Sequence, residues 1–127
     1  MNFKITAVIF AFTCLLGLNA CGGGNGGGLS ATLSACPEDS TVTWEQVTPV
    51  FQDYCTSCHH SDKVGTERVG ATPGVDYDTP ELAYNSEASP ASTWSEIYTG
   101  DMPPGDSTVP EAEAILIHDW LSCGGPQ

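Results

Sequence analysis

The residues best suited to redox or metal chemistry crowd into one stretch, Cys55-Thr56-Ser57-Cys58-His59-His60. Two thiols three positions apart, followed at once by an imidazole, form the C-x-x-C-H pattern of covalent haem attachment. One helical turn separates the sulfurs, so both reach the vinyl groups along one porphyrin edge, and His59 then lies under the iron as proximal ligand. Two other chemistries use paired thiols. A thioredoxin-like redox pair belongs near a βαβ pattern, which this chain does not display. A zinc site needs a second ligand pair at similar spacing, and Cys36 and Cys123 are solitary. Haem attachment is therefore the expected chemistry of Cys55, Cys58 and His59.

The opposite face of such a haem needs its own ligand. His60 adjoins His59 and cannot reach it. His118 falls in a helical pattern from about Pro110 to Ser122, whose apolar stripe is Ala112, Leu116, Ile117, Trp120 and Cys123. On that wheel His118 points away from the stripe, which predicts solvent exposure. Met102 is the only methionine past residue 1, and it lies in Gly100-Asp101-Met102-Pro103-Pro104-Gly105, where two prolines fix φ. A lone thioether in a stiff loop is the expected distal ligand, with core packing as the alternative. His/Met ligation would raise the potential relative to more basic ligands.

The other sulfurs divide by position. Met1 to Ala20 carries one base, Lys4, and an apolar run from Ile5 to Leu18 that is short for a bilayer span and fits a secretory signal. Its end, Leu18-Asn19-Ala20-Cys21, resembles the bacterial lipobox, which makes Cys21 the expected lipidation site and places the chain on the outer side of a bacterial cytoplasmic membrane. An ordinary signal peptide with a free Cys21 is the alternative. Gly22 in place of Asp favours the outer membrane. Residues 21–35, rich in glycine and then in Ser, Ala, Thr and Leu, read as a flexible tether. Cys36 and Cys123 remain, at the two ends of residues 36–127, the folded domain. In an oxidising compartment a disulfide is the economical pairing, and two free thiols are the alternative.

Charge excludes one class of partner. The formal net charge is −13, and past residue 20 only Lys63 and Arg68 oppose all 16 acidic residues. So few bases cannot supply the phosphate contacts of a nucleic-acid-binding protein. A strongly acidic surface steers encounters towards a basic patch on a partner protein, or simply keeps the chain soluble.

Several short helices must position these groups. Thr43-Trp44-Glu45-Gln46 reads as a capping box, and Pro49 suits the first turn of the helix that delivers the haem cysteines. Phe51, one turn before Cys55, is expected to meet the C-terminal helix near Ile117 and Trp120. Pro80 to Asn85 and Trp94 to Thr99 read as short helices, the second with a Thr93/Glu96 capping box and with Gly100 as its stop. Asp62 to Asp78 shows no period and reads as a loop against the haem.

The C-x-x-C-H motif, the Met-Pro-Pro loop and the C-terminal Trp120-Leu121-Ser122-Cys123-Gly124 together resemble the small bacterial class I cytochromes c of the lipoprotein type. The likeness runs from about Cys36 to the C-terminus. It implies an all-α fold of three to five short helices around one covalently bound haem c, with the first and last helices crossing. It makes Cys55 and Cys58 the thioether sites, His59 the proximal ligand and Met102 the distal one. In Ala71-Thr72-Pro73-Gly74, it makes Pro73 the residue whose carbonyl accepts the proximal imidazole's hydrogen bond. The implied function is a membrane-tethered one-electron carrier in an extracytoplasmic chain, with a redox partner protein and no substrate chemistry of its own. A labile distal ligand would instead imply a peroxidase-like haem enzyme or a gas-binding sensory module.

Overall fold

A computed structural model of the chain describes residues 29–127, so the expected signal segment, the lipidation site Cys21 and the glycine run lie outside the described residues. The described residues form four α-helices, α1 (Trp44–Tyr54), α2 (Pro80–Asn85), α3 (Pro90–Thr99) and α4 (Glu111–Ser122), with a 3-10 turn at Gly65–Arg68. There is no strand among them, so the architecture is all-α as expected. None of their helices is long and apolar enough to cross a membrane.

Helix α1 starts where its cap dictates. The Gln46 side chain reaches back to accept from the Thr43 amide at 2.9 Å, closing the half of the capping box that fixes the entry. That start places Pro49 inside the helix rather than in its first turn, as sequence alone had implied. The proline is exposed and its missing N–H removes one ladder bond, while Val47, Val50 and Phe51 on the other side stay buried.

Helix α3 also starts earlier than its sequence pattern implies. Ser89 caps it by accepting from the Ser92 amide at 3.2 Å, and Pro90 follows at the first helical position. Thr93 is therefore not a cap. It is buried, with its hydroxyl 3.0 Å from that of Tyr77. Gly100, at φ +80, ends the helix in the left-handed conformation that glycine adopts without steric cost.

The core forms where α4 packs against both α1 and α3. Phe51 meets Trp120 edge-on at 5.9 Å and Trp44 at 5.7 Å, so the first and last helices cross at the expected aromatic contact. Because α3 covers a second side of α4, the buried arc is wider than one stripe and is shifted from the expected one. It comprises Ala114, Ile117, His118, Trp120 and Leu121, while Ala112 is exposed. His118, expected in solvent, is 7% exposed and lies edge-on to Trp94 at 4.8 Å.

His118 also fastens a segment read from its composition as free tether. Its Nε2 lies 3.1 Å from the Ser34 hydroxyl, and its Nδ1 lies 3.0 Å from Asp119 Oδ1. Trp94 Nε1 donates to the Ser30 carbonyl at 2.7 Å, and Leu29 and Leu33 pack against the core. Residues 29–35 are thus a strap on the α3/α4 face, and the folded unit begins before Cys36. Composition suggested coil because two leucines among small polar residues show no period; they are held by a groove that the sequence does not advertise. The strap leads into Cys36, whose sulfur is placed against that of Cys123 with the Cα atoms 4.6 Å apart.

Candidate functional site

The residues expected to hold a haem come from the end of α1 or from the loops that follow it. At the helix end, the Cys55 amide donates to the Phe51 carbonyl at 2.8 Å, and the His59 amide then donates to the Cys55 carbonyl at 2.9 Å. This continued turn brings Cys55, Cys58 and His59 to one side of the chain. All three line a cavity of about 620 Å³, as do Met102, Pro103 and Pro104 from the loop after α3. Thr93 and Ile97 of α3 contribute to the same cavity. His60 is not among its lining residues; it faces a smaller cleft, with Nδ1 3.9 Å from Asp78 Oδ2.

The Met102 loop is anchored at its root. The Met102 amide donates to the Glu96 carbonyl at 3.0 Å, and Thr99 Oγ1 donates to Asp101 Oδ2 at 2.7 Å. The Met102 side chain is 37% exposed, so it is not an ordinary core methionine.

On the other side of the cavity, residues 60–78 form a loop tied at its neck. The Tyr77 amide donates to the His59 carbonyl at 3.0 Å, and Asp78 accepts from the Ser61 amide at 2.9 Å and hydroxyl at 2.6 Å. Burial alone would push the Asp78 carboxyl up; the Ser61 hydroxyl and amide outweigh it and hold the carboxyl below its ordinary value of 3.8. A depressed pKa means that the ionised form stabilises the fold above the ordinary value and that this contribution is lost as pH falls below it. Asp78→Ala is expected to destabilise the protein by about 1.5 kcal/mol at neutral pH. The gap to the unaltered chain should close on acidification below pH 4, as denaturant midpoints across pH would show.

Inside the neck, His59 Nδ1 lies 2.8 Å from the carbonyl of Val75, so the imidazole donates there and Nε2 is left to face the cavity. The acceptor is not Pro73, as the family resemblance implied. Pro73 is exposed, and the chain reverses just after it: Gly74 adopts φ +84 and the Val75 amide donates to the Thr72 carbonyl at 3.2 Å. That reversal brings the carbonyl two residues later to the ring.

Two residues that sequence reasoning passed over organise this loop. Arg68 is 5% exposed and donates to the carbonyls of His60, Ala71, Thr72 and Val75 and to Asp76 Oδ1, the last at 2.7 Å. Its only sequence signal was rarity, as the one arginine of an acidic chain. Tyr77 is 7% exposed, stacks on Phe51 at 5.2 Å and meets the His59 ring edge-on at 5.3 Å, joining the core to the cavity floor. Beside Arg68, Val69 is held at φ +52, strained for a β-branched side chain, yet it is 76% exposed and lines the cavity.

Protonation and volume bear on which cofactor this cavity fits. Burial pushes the Cys55 thiol up to about 12, the reverse of the lowered value that makes a redox-pair thiol reactive. Among the described residues no group of three or more His, Cys, Asp or Glu side chains is arranged to hold a bare metal ion. Two unpaired thiols, a fixed imidazole and a thioether around one space of about 620 Å³ do fit a porphyrin held by two thioethers. Such a volume is mid-range for small-molecule and cofactor sites, roughly 300–1,000 Å³. Comparison with protein-family models, with curated proteins and with solved structures returns no match to this chain.

Proposed function

We propose that this chain is a single-haem c-type cytochrome, exported and lipid-anchored through Cys21, that carries one electron at a time between partner proteins. The observation that carries the proposal is the convergence of Cys55, Cys58, His59 and Met102 on one cavity from segments more than forty residues apart in sequence. In this reading Cys55 and Cys58 would hold one haem c through thioethers, and His59 and Met102 would ligate its iron. The haem supplies reversible one-electron chemistry. The protein's own part is to fix the ligands and to surround them with a wall of Tyr77, Thr93, Ile97 and the two prolines. The acidic surface suits a partner with a basic docking patch.

Support is independent of the motif itself. The Val75 carbonyl accepts from His59 Nδ1, which would leave Nε2 available as a ligand, and α1 packs on α4 through Phe51 and Trp120, as the resemblance to small class I cytochromes c implies. The optical spectrum and intact mass of the purified mature protein test the proposal together. A red, low-spin protein heavier than residues 21–127 by one haem and an N-terminal lipid is expected; a colourless one overturns it.

A second reading, a haem enzyme or gas-binding module in which Met102 leaves the iron, differs from the first in what the unaltered protein would bind. Met102→Ala separates the two. For an electron carrier it should lower the midpoint potential, abolish the sulfur-to-iron absorption band in the red and admit cyanide or carbon monoxide that the unaltered protein excludes. Rapid binding of either ligand by the unaltered protein would favour the enzyme.

A further inference from the structure

Arg68 is 5% exposed, and one of its acceptors differs in kind from the rest. The carbonyls of His60, Ala71 and Thr72 have no tie to the proposed iron ligands' side chains, but the Val75 oxygen accepts from Arg68 Nη2 at 3.0 Å and from His59 Nδ1 at 2.8 Å. A carbonyl oxygen has two lone pairs, so both donors fit. We propose that Arg68 is a positioning residue that sets, through the shared Val75 carbonyl, how strongly His59 donates to the iron; this rests on the cytochrome reading above.

The direction follows from hydrogen-bond chemistry. A donor on an ionised group makes a bond roughly twice as strong as a neutral one. Arg68 therefore draws on the Val75 oxygen's electron density and leaves it a weaker acceptor for His59, although Nη2 divides its two hydrogens among Val75 at 3.0 Å, Thr72 at 2.8 Å and Asp76 at 2.7 Å. A ligand imidazole gains basicity from the acceptor on its other nitrogen. Weakening that acceptor makes Nε2 a poorer donor, which favours reduced iron and raises the potential. Asp76, 6% exposed and 2.7 Å from the same Nη2, tempers the effect by drawing on the guanidinium.

The test uses the full-length haem-loaded protein. The double variant Arg68→Met/Asp76→Asn removes both charges and leaves the net charge unchanged, so a long-range Coulomb effect is largely cancelled. It should shift the reduction equilibrium about tenfold towards the oxidised form, equivalent to about 59 mV for one electron. In the reduced state the His59 Nδ1 proton resonance should move downfield as its bond to Val75 strengthens. Asp76→Asn alone, which keeps Arg68, should move both readouts the opposite way. A merely structural Arg68 would lower stability in both variants without opposing shifts, and that result overturns the inference. If the double variant does not fold, Asp76→Asn and the unaltered chain still decide: unchanged readouts in the former, or rapid solvent exchange of the Arg68 guanidinium protons in the latter, overturn it. A chain that carries no haem removes the proposed function and the iron half of this inference together, while the His59 resonance still reports whether Arg68 acts on the ring.

Discussion

Cys55→Ala/Cys58→Ala is expected to give a protein without covalent haem, and Cys58→Ala alone to retain one thioether at most. The two sulfurs are not equivalent in their surroundings. Cys55 packs against the core beside the last turn of α1, and burial holds its thiol protonated, whereas Cys58 lies on the outer turn with the Ser57 hydroxyl 3.8 Å from its sulfur. On the proposed reading, loss of Cys55 would remove a bond to the cofactor and leave a small gap against the core, while loss of Cys58 would remove the bond alone. Denaturing electrophoresis stained for haem, with a pyridine haemochrome spectrum, reads the outcome. A spectrum from Cys58→Ala identical to that of the unaltered protein would rule out attachment through two thioethers.

The second large effect is on stability. Cys36 and Cys123 are 87 positions apart, and their Cα separation of 4.6 Å lies within the range that a disulfide spans. On the chain-entropy account, a bridge closing so long a loop stabilises by up to about 4–5 kcal/mol. Cys36→Ser is expected to lower the denaturant midpoint of the haem-loaded protein accordingly, and the strap before it should become the first segment cut by protease. An unchanged midpoint would show that the two sulfurs are not joined.

The parts of this protein legible in its sequence are those set by local chemistry. Cap residues, turn prolines and the C-x-x-C-H spacing act over one helical turn, so α2 and the termination of α3 at Gly100 are found where the pattern puts them. Failures occur where a distant surface decides. Thr93 has the sequence of a cap, but Tyr77, sixteen residues earlier, claims its hydroxyl. His118 falls off the apolar stripe of an isolated helix, yet α3 and the strap close over it. Pro73 is the acceptor that the family resemblance implies, and only the reversal at Gly74 shows that Val75 reaches the ring instead. Arg68 was invisible for the same reason, since its partners are backbone carbonyls scattered along the loop.

The docked strap changes the length of the leash. Had the domain begun at Cys36, fifteen steps of chain would separate it from Cys21; with Leu29 already seated on the core, only eight do. At no more than about 3.5 Å per step, the fully drawn line falls from roughly 50 Å to roughly 28 Å. On the proposed reading, a protein moored so closely through Cys21 would exchange electrons with whatever shares its membrane or settles directly on it, and a carrier drifting past at greater height would be out of reach.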